Sequence, residues 1–172
     1  NADGVNVDFE SFPASQKENM VTFITDLTNT FHQEIPGSQV TLAMPAVDWN
    51  AAWDYEALAS ISDGLFIMGY GYHWSGSPTT GPNSPLTGPG YTITWTVIDY
   101  LNKTNFQSEK LILGCPYYGF VWPAVSNIPG AATTGSGDSQ FYTEMEGSAL
   151  SFGKIWHESS QTPWYNYENS GW

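Results

Sequence analysis

Residues 4–10, "GVNVDFE", alternate between apolar and polar side chains, a period-two pattern that predicts a β-strand. Its polar face carries Asn6, Asp8 and Glu10, while Val5, Val7 and Phe9 point the other way, toward a covering helix. Helical spacing follows. Met20, Ile24, Leu27, Phe31 and Ile35 share one helix face, Ser15 and Glu18 read as a capping box before them, and Pro36-Gly37 stops the helix. "QVTLAMPA" (39–46) predicts a second strand, "DYEALASIS" (54–62) a short helix starting near Asp54, and "GLFIMGY" (64–70) a third strand. Residues 75–90 are Gly-, Pro-, Ser- and Thr-rich and read as a loop. "YTITWTVIDYLNK" (91–103) predicts a helix with Ile93, Val97 and Leu101 on one face, and "KLILGCPYYG" (110–119) a fourth strand.

The order is β-α-β-α-β-α-β. Short, largely apolar strands between helices predict an α/β fold with a parallel sheet buried on both faces. Polar residues come late in these strands: Asp8 and Glu10 in the first, Tyr70 in the third, Tyr117 and Tyr118 in the fourth. A (β/α) barrel holds its active site at such C-terminal strand ends. The pattern changes after Trp122. Residues 123–140 are rich in Gly, Ser, Thr and Ala, and the short aromatic segments "QFYTEM", "GKIWHE" and "PWYNYENSGW" show no helical repeat between them. That predicts an antiparallel hairpin region, and with it a division into residues 1–122 and 123–172.

A chain of 172 residues is long enough for one domain with a real core. Seventeen Asp and Glu against four Lys and Arg give a net charge of −13, which makes nucleic acid and anionic membrane poor partners. No apolar run reaches the roughly 18 residues of a membrane-spanning helix. Aromatic residues make up 16% of the chain, with eight Trp and ten Tyr, and their flat faces suit stacking on sugar rings as well as a core. Cys115 is the single cysteine, and His32, His73 and His157 are far apart, so no disulfide framework, metal site or cofactor is expected.

Two carboxylates close together inside a barrel repel each other, and one is then kept protonated, which is what a general acid requires. Taken alone, the first strand fits that reading and a solvated acidic strand end equally well.

Three segments decide between them. "DGVNVDFE" (3–10) resembles the D-G-x-D-x-D-x-E signature of glycoside hydrolase family 18, the chitinase family, with Asp3, Gly4, Asp8 and Glu10 matching. "MGYGYHWSGSPTTGPNSPL" (68–86) resembles the family's M-x-Y-D-x-H segment followed by T-G-x-N-[AS]-P-L. "LGCPYYGFVW" (113–122) resembles its L-G-x-P-x-Y-G-R-x-W segment. They fall in the family's order, at spacings that suit strands four, six and seven of a (β/α)8 TIM barrel, with "TLAMPA" as strand five. The aromatic tail resembles part of the α+β insertion that many members carry between strands seven and eight. The resemblance therefore implies a partial barrel. Strands one to three and strand eight would be supplied by the rest of a longer parent polypeptide, and this piece alone would be inactive.

The same resemblance implies a retaining, substrate-assisted glycosidase acting on β-1,4-linked N-acetylglucosamine, as chitin or chito-oligosaccharide. Glu10 is then the acid/base, Asp8 orients the substrate's acetamido group, and Tyr70 donates a hydrogen bond to the acetamido oxygen. Asn6, Met68, Trp74, Tyr118 and Trp122 become substrate-binding candidates, with Trp49 and Trp53 as weaker ones and His73 as a structural residue. Chitin is extracellular, so a secreted protein is implied. Three positions depart from the family pattern: Asn6 and Gly71 stand where aspartates are usual, and Phe120 where an arginine is common. The alternatives are a non-catalytic chitin-binding lectin on the same fold, against which Glu10 argues, and a hydrolase of peptidoglycan-type glycans.

Overall fold

The computed structural model describes residues 2–167 and 170–171; Asn1 and, within "PWYNYENSGW", Glu168, Asn169 and Trp172 lie outside the described residues. The chain forms two compact units. One comprises residues 1–68 and 96–114, the other 69–95 and 115–172.

The first unit is built on a parallel sheet of β1 (Gly4–Val7), β2 (Gln39–Pro45), β3 (Gly64–Met68) and β4 (Leu111–Gly114), ordered β1-β2-β3-β4. Its helices are α1 (Lys17–Glu34), α2 (Tyr55–Ile61) and α3 (Ile93–Lys103), the last crossing the unit boundary after Trp95. The predicted element order and the parallel pairing are both present. β2 and β3 lie in the middle of the sheet, and Val40, Leu42, Met44, Leu65 and Ile67 on them are buried. Ile24 of α1, Leu58 of α2 and Tyr100 of α3 join that core, each without exposed surface. Asp54 starts α2 by accepting the Ala57 N–H at 3.1 Å, as the sequence predicts. The outer edges of β1 and β4 pair with no other strand among the described residues.

Several local expectations are corrected. β1 ends at Val7, not Glu10, because its pairing with β2 stops at Val7 opposite Leu42. Phe9 meets α1 through Phe23, with ring centroids 6.0 Å apart, yet stays 53% exposed. Ser15 forms no capping box. It lies in a 3-10 turn (Ala14–Gln16) that uses the backbone instead, with the Gln16 N–H donating to the Pro13 carbonyl at 2.9 Å. On α3 the fully buried line is Thr96 and Tyr100, and Ile93, Val97 and Leu101 are only half-buried. The reason is polar: Thr96 Oγ1 donates to the Ala46 carbonyl at 2.9 Å and the Tyr100 hydroxyl to the Pro45 carbonyl at 2.6 Å, satisfying the end of β2. Finally, residues 110–119 are not one strand. β4 stops at Gly114, and β5 (Tyr118–Pro123) begins in another sheet, so Tyr117 lies between strands and Tyr118 starts one.

The second unit is antiparallel, as expected for the region after Trp122. β5 pairs with β6 (Asp138–Phe141) and with β10 (Ser170–Gly171), which also pairs with β9 (Asn166–Tyr167); β7 (Ile155–His157) and β8 (Thr162–Trp164) form a separate hairpin. A helix that the sequence does not announce, α4 (Tyr142–Phe152), follows β6. It buries none of its residues fully, and Met145, Ser148 and Ala149 form its half-buried side. Its ends are local: Glu144 accepts the Phe141 N–H at 2.8 Å, and Gly153 leaves with φ +92°. The loop of residues 69–92 is anchored to this unit, for instance by the Thr80 N–H to the Ala131 carbonyl and the Leu86 N–H to the Ser160 carbonyl, both 2.9 Å.

Candidate functional site

In the first unit, parallel pairing puts the C-terminal ends of all four strands on one side of the sheet. Asp8 and Glu10 follow the end of β1 and are exposed, and Met68 is the last residue of β3, half-buried. Asn6 sits on β1 opposite Thr41 and donates from Nδ2 to Thr41 Oγ1 at 2.8 Å. Its amide thus bonds to a strand neighbour with a group an aspartate lacks. The signature's glycine has a steric cause: a Cβ on Gly4 would come within 2.0 Å of the Gln39 carbonyl oxygen on the paired strand.

Tyr70, Trp74, Tyr118 and Trp122 belong to the second unit. Tyr70 lies two residues beyond β3 rather than within it, and its ring meets that of Tyr118 edge-on at 5.8 Å. Both are half-buried. Trp74 is 57% exposed. Trp122 is fully buried, donates from Nε1 to the Trp74 carbonyl at 3.2 Å, and packs over Gly137, where a Cβ would meet the indole at 2.4 Å. Trp122 thus has no exposed surface and forms part of the support beneath Trp74. Phe120, where the family pattern has arginine, joins this aromatic layer between Tyr118 (5.8 Å) and Trp122 (5.6 Å). The weaker pair also separates: Trp49 is exposed, whereas Trp53 is buried against Phe12 at 4.6 Å.

His73 makes a structural hydrogen bond, its Nδ1 lying 3.2 Å from the Pro82 carbonyl. Burial lowers its pKa below the usual histidine value, against the opposing effect of that hydrogen bond, and so favours the neutral ring.

One residue acquires a place that the sequence did not assign. Asn83, inside the quoted "GPNSPL", accepts the Gly71 N–H on Oδ1 at 2.8 Å and donates from Nδ2 to the Tyr118 carbonyl at 3.1 Å. Its own carbonyl accepts the Tyr72 N–H at 3.1 Å. Gly71 has φ +78°, and a Cβ there would meet nothing within 4 Å.

The family model "Glycosyl hydrolases family 18" matches residues 1–172, and the chain belongs to that family. Rat di-N-acetylchitobiase is 28% identical over 97% of this chain and 50% of its own length. Mouse chitotriosidase-1 is 31% identical over 84% of this chain and 36% of its own. The crystal structure of an immunomodulatory active chitinase from Trichuris suis superposes with a TM-score of 0.89 at 24% identity, covering 98% of this chain and 53% of that one. The chain thus spans half or less of the curated relatives named here. The family's architecture is the TIM barrel, and this chain holds four of its parallel strands together with an α+β part.

Proposed function

We propose that this chain carries the acid/base end of a retaining, substrate-assisted glycosidase that cleaves β-1,4-linked N-acetylglucosamine in chitin or chito-oligosaccharides. The carrying observation is that Asp8 and Glu10 stand exposed just past the C-terminal end of a strand in a parallel sheet, inside the family's signature. The names of the rat and mouse relatives support the substrate class.

In this reading the substrate's acetamido oxygen attacks its own anomeric carbon. Glu10 protonates the departing glycosidic oxygen and later takes a proton from water. Asp8 accepts the acetamido N–H and stabilises the positive charge of the cyclic oxazolinium ion, while the Tyr70 hydroxyl donates to the acetamido oxygen and orients it. Asn6 and Met68 adjoin the reacting sugar, and Trp74 and Tyr118 offer it aromatic surface. The parent protein is divided after Trp122 into a catalytic barrel and an insertion, supplies the remaining barrel strands, and is secreted.

The test uses the full-length parent protein. Wild type releases sugar from chito-oligosaccharides, Glu10→Gln retains binding without release, and a polymer of glucose lacking the acetamido group is not cut. Equal binding by both proteins with no release by either would favour the lectin reading. Release from peptidoglycan but not from chito-oligosaccharides would change the substrate.

A further inference from the structure

Tyr70 stands between two glycines, Gly69 and Gly71. Glycine constrains the backbone least, so a side chain flanked by two of them is poorly oriented unless something outside the segment fixes it. The peptide group before Tyr70 is held by Ser84, whose Oγ donates to the Gly69 carbonyl. The peptide group after it is held by Asn83, whose Oδ1 accepts the Gly71 N–H at 2.8 Å. Those two peptide planes define φ and ψ of residue 70, so the Asn83-Ser84 pair sets both. The Asn83 carbonyl takes the next amide, that of Tyr72, at 3.1 Å. Asn83 Nδ2 also grips the carbonyl of Tyr118, whose ring packs edge-on against Tyr70 at 5.8 Å. The partners fix the amide's orientation too: reversed, it would set donor against donor and acceptor against acceptor.

We propose that Asn83, assisted by Ser84, is a positioning residue for Tyr70. The clasp holds the Tyr70 backbone and the neighbouring Tyr118 in one arrangement, so that the hydroxyl meets the acetamido oxygen without searching. The proposal rests on the reading of Tyr70 as the acetamido donor. Asn83 itself touches no reacting atom. Its loss therefore lowers turnover without removing a substrate contact.

The experiment is a double-mutant cycle in the full-length protein, with chito-oligosaccharide hydrolysis and amide hydrogen exchange at Gly71 as readouts. Asn83→Ala lowers kcat by roughly 10- to 100-fold with little change in KM, the range expected of a misplacement on the ångström scale. In the Tyr70→Phe background Asn83→Ala costs little more, since the group it positions is already gone. Ser84→Ala lowers kcat in the same sense and Ser84→Thr restores it, which covers the case in which Asn83→Ala fails to fold. Exchange at Gly71 accelerates in Asn83→Ala. Fully multiplicative losses, or a rise in KM alone, would overturn the positioning role. A wild type that releases no sugar would refute the proposed activity instead, and the clasp would then stand or fall on Gly71 exchange.

Discussion

The indole N–H of Trp122 donates to the backbone carbonyl of Trp74 at 3.2 Å, so that a fully buried tryptophan holds the segment carrying an exposed one. The two rings therefore answer to different measurements. Trp122→Phe loses this hydrogen bond and part of the packing over Gly137, and lowers stability by about 2 kcal/mol in thermal or denaturant unfolding. Trp74→Ala changes stability by less than about 0.5 kcal/mol. On the proposed reading of Trp74 as a sugar-contacting residue, the substitution in the full-length protein should weaken chito-oligosaccharide binding roughly tenfold, the equivalent of about 55 Å² of ring surface at about 25 cal/mol per Å². A stable Trp122→Phe, or unchanged binding by Trp74→Ala, contradicts the assignment.

Tyr100 gives a prediction at the alkaline end. Burial raises its pKa well above the ordinary tyrosine value, and the nearby Tyr55, Asp48 and Asp99 push the same way. A tyrosine with a raised folded-state pKa contributes stability that is complete below the unfolded value of about 10 and is lost as pH climbs above it. Ultraviolet titration of the ten tyrosines should show a fraction that ionises only on unfolding. Tyr100→Phe should shrink that fraction. It also leaves the Pro45 carbonyl without its donor, at about 1–3 kcal/mol. Tyrosines that all ionise together in the folded protein would contradict the buried hydroxyl.

The strands were legible because β2 and β3 are apolar runs of a length only a buried strand needs, and α2 because Asp54 announces it. Side-chain roles were less legible. Trp122 and Trp74 look alike in sequence near a strand end, and only packing tells which one faces solvent. On α3 the aliphatic stripe suggested the wrong face, because the hydroxyls of Thr96 and Tyr100 are buried by bonding to the carbonyls of Ala46 and Pro45 at the end of β2, far away in sequence. Helix α4 buries no residue fully, and its half-buried side, Met145, Ser148 and Ala149, is short and only partly apolar. Asn83 stood in a quoted motif, but its side-chain partners lie 12 and 35 residues away, a distance that no local pattern spans.

Asp63, just before β3, ties this strand's start to α1 and β2. It accepts the Val40 N–H at 2.6 Å and faces His32 Nε2 at 2.9 Å. Burial alone would raise its pKa, but the Val40 N–H, His32 and Lys110 outweigh that and hold it below the usual carboxylate value. The stability it contributes is complete above the unfolded value of about 3.9 and is lost as pH falls from there toward the lower folded value. Asp63→Ala should cost about 1–3 kcal/mol at neutral pH, since the Val40 N–H loses that acceptor, and should flatten the acid limb of the stability profile. An acid limb unchanged by the substitution would show that other carboxylates set it.

Gly71 departs from the family pattern beside Tyr70, and its geometry says what restoring the aspartate would do. A Cβ has room, so the cost of a side chain is the left-handed backbone at φ +78°. Aspartate tolerates that region better than most residues, and the penalty is about 1 kcal/mol, read as a small fall in melting temperature. The Gly71 N–H is already engaged by Asn83, so the new carboxylate is not needed for the clasp, and on the proposed reading of Tyr70 it adds an acceptor beside the acetamido donor. Gly71→Asp should then raise kcat/KM on N-acetylated oligosaccharides and narrow tolerance for bulkier N-acyl groups, because it adds an acceptor and fills open space. Gly71→Ala separates the two effects: it carries the backbone penalty and fills a little of the space without the charge, so it should show the stability loss but no gain in rate. If the two variants behave alike across an N-acyl series, the missing carboxylate is not what distinguishes this site.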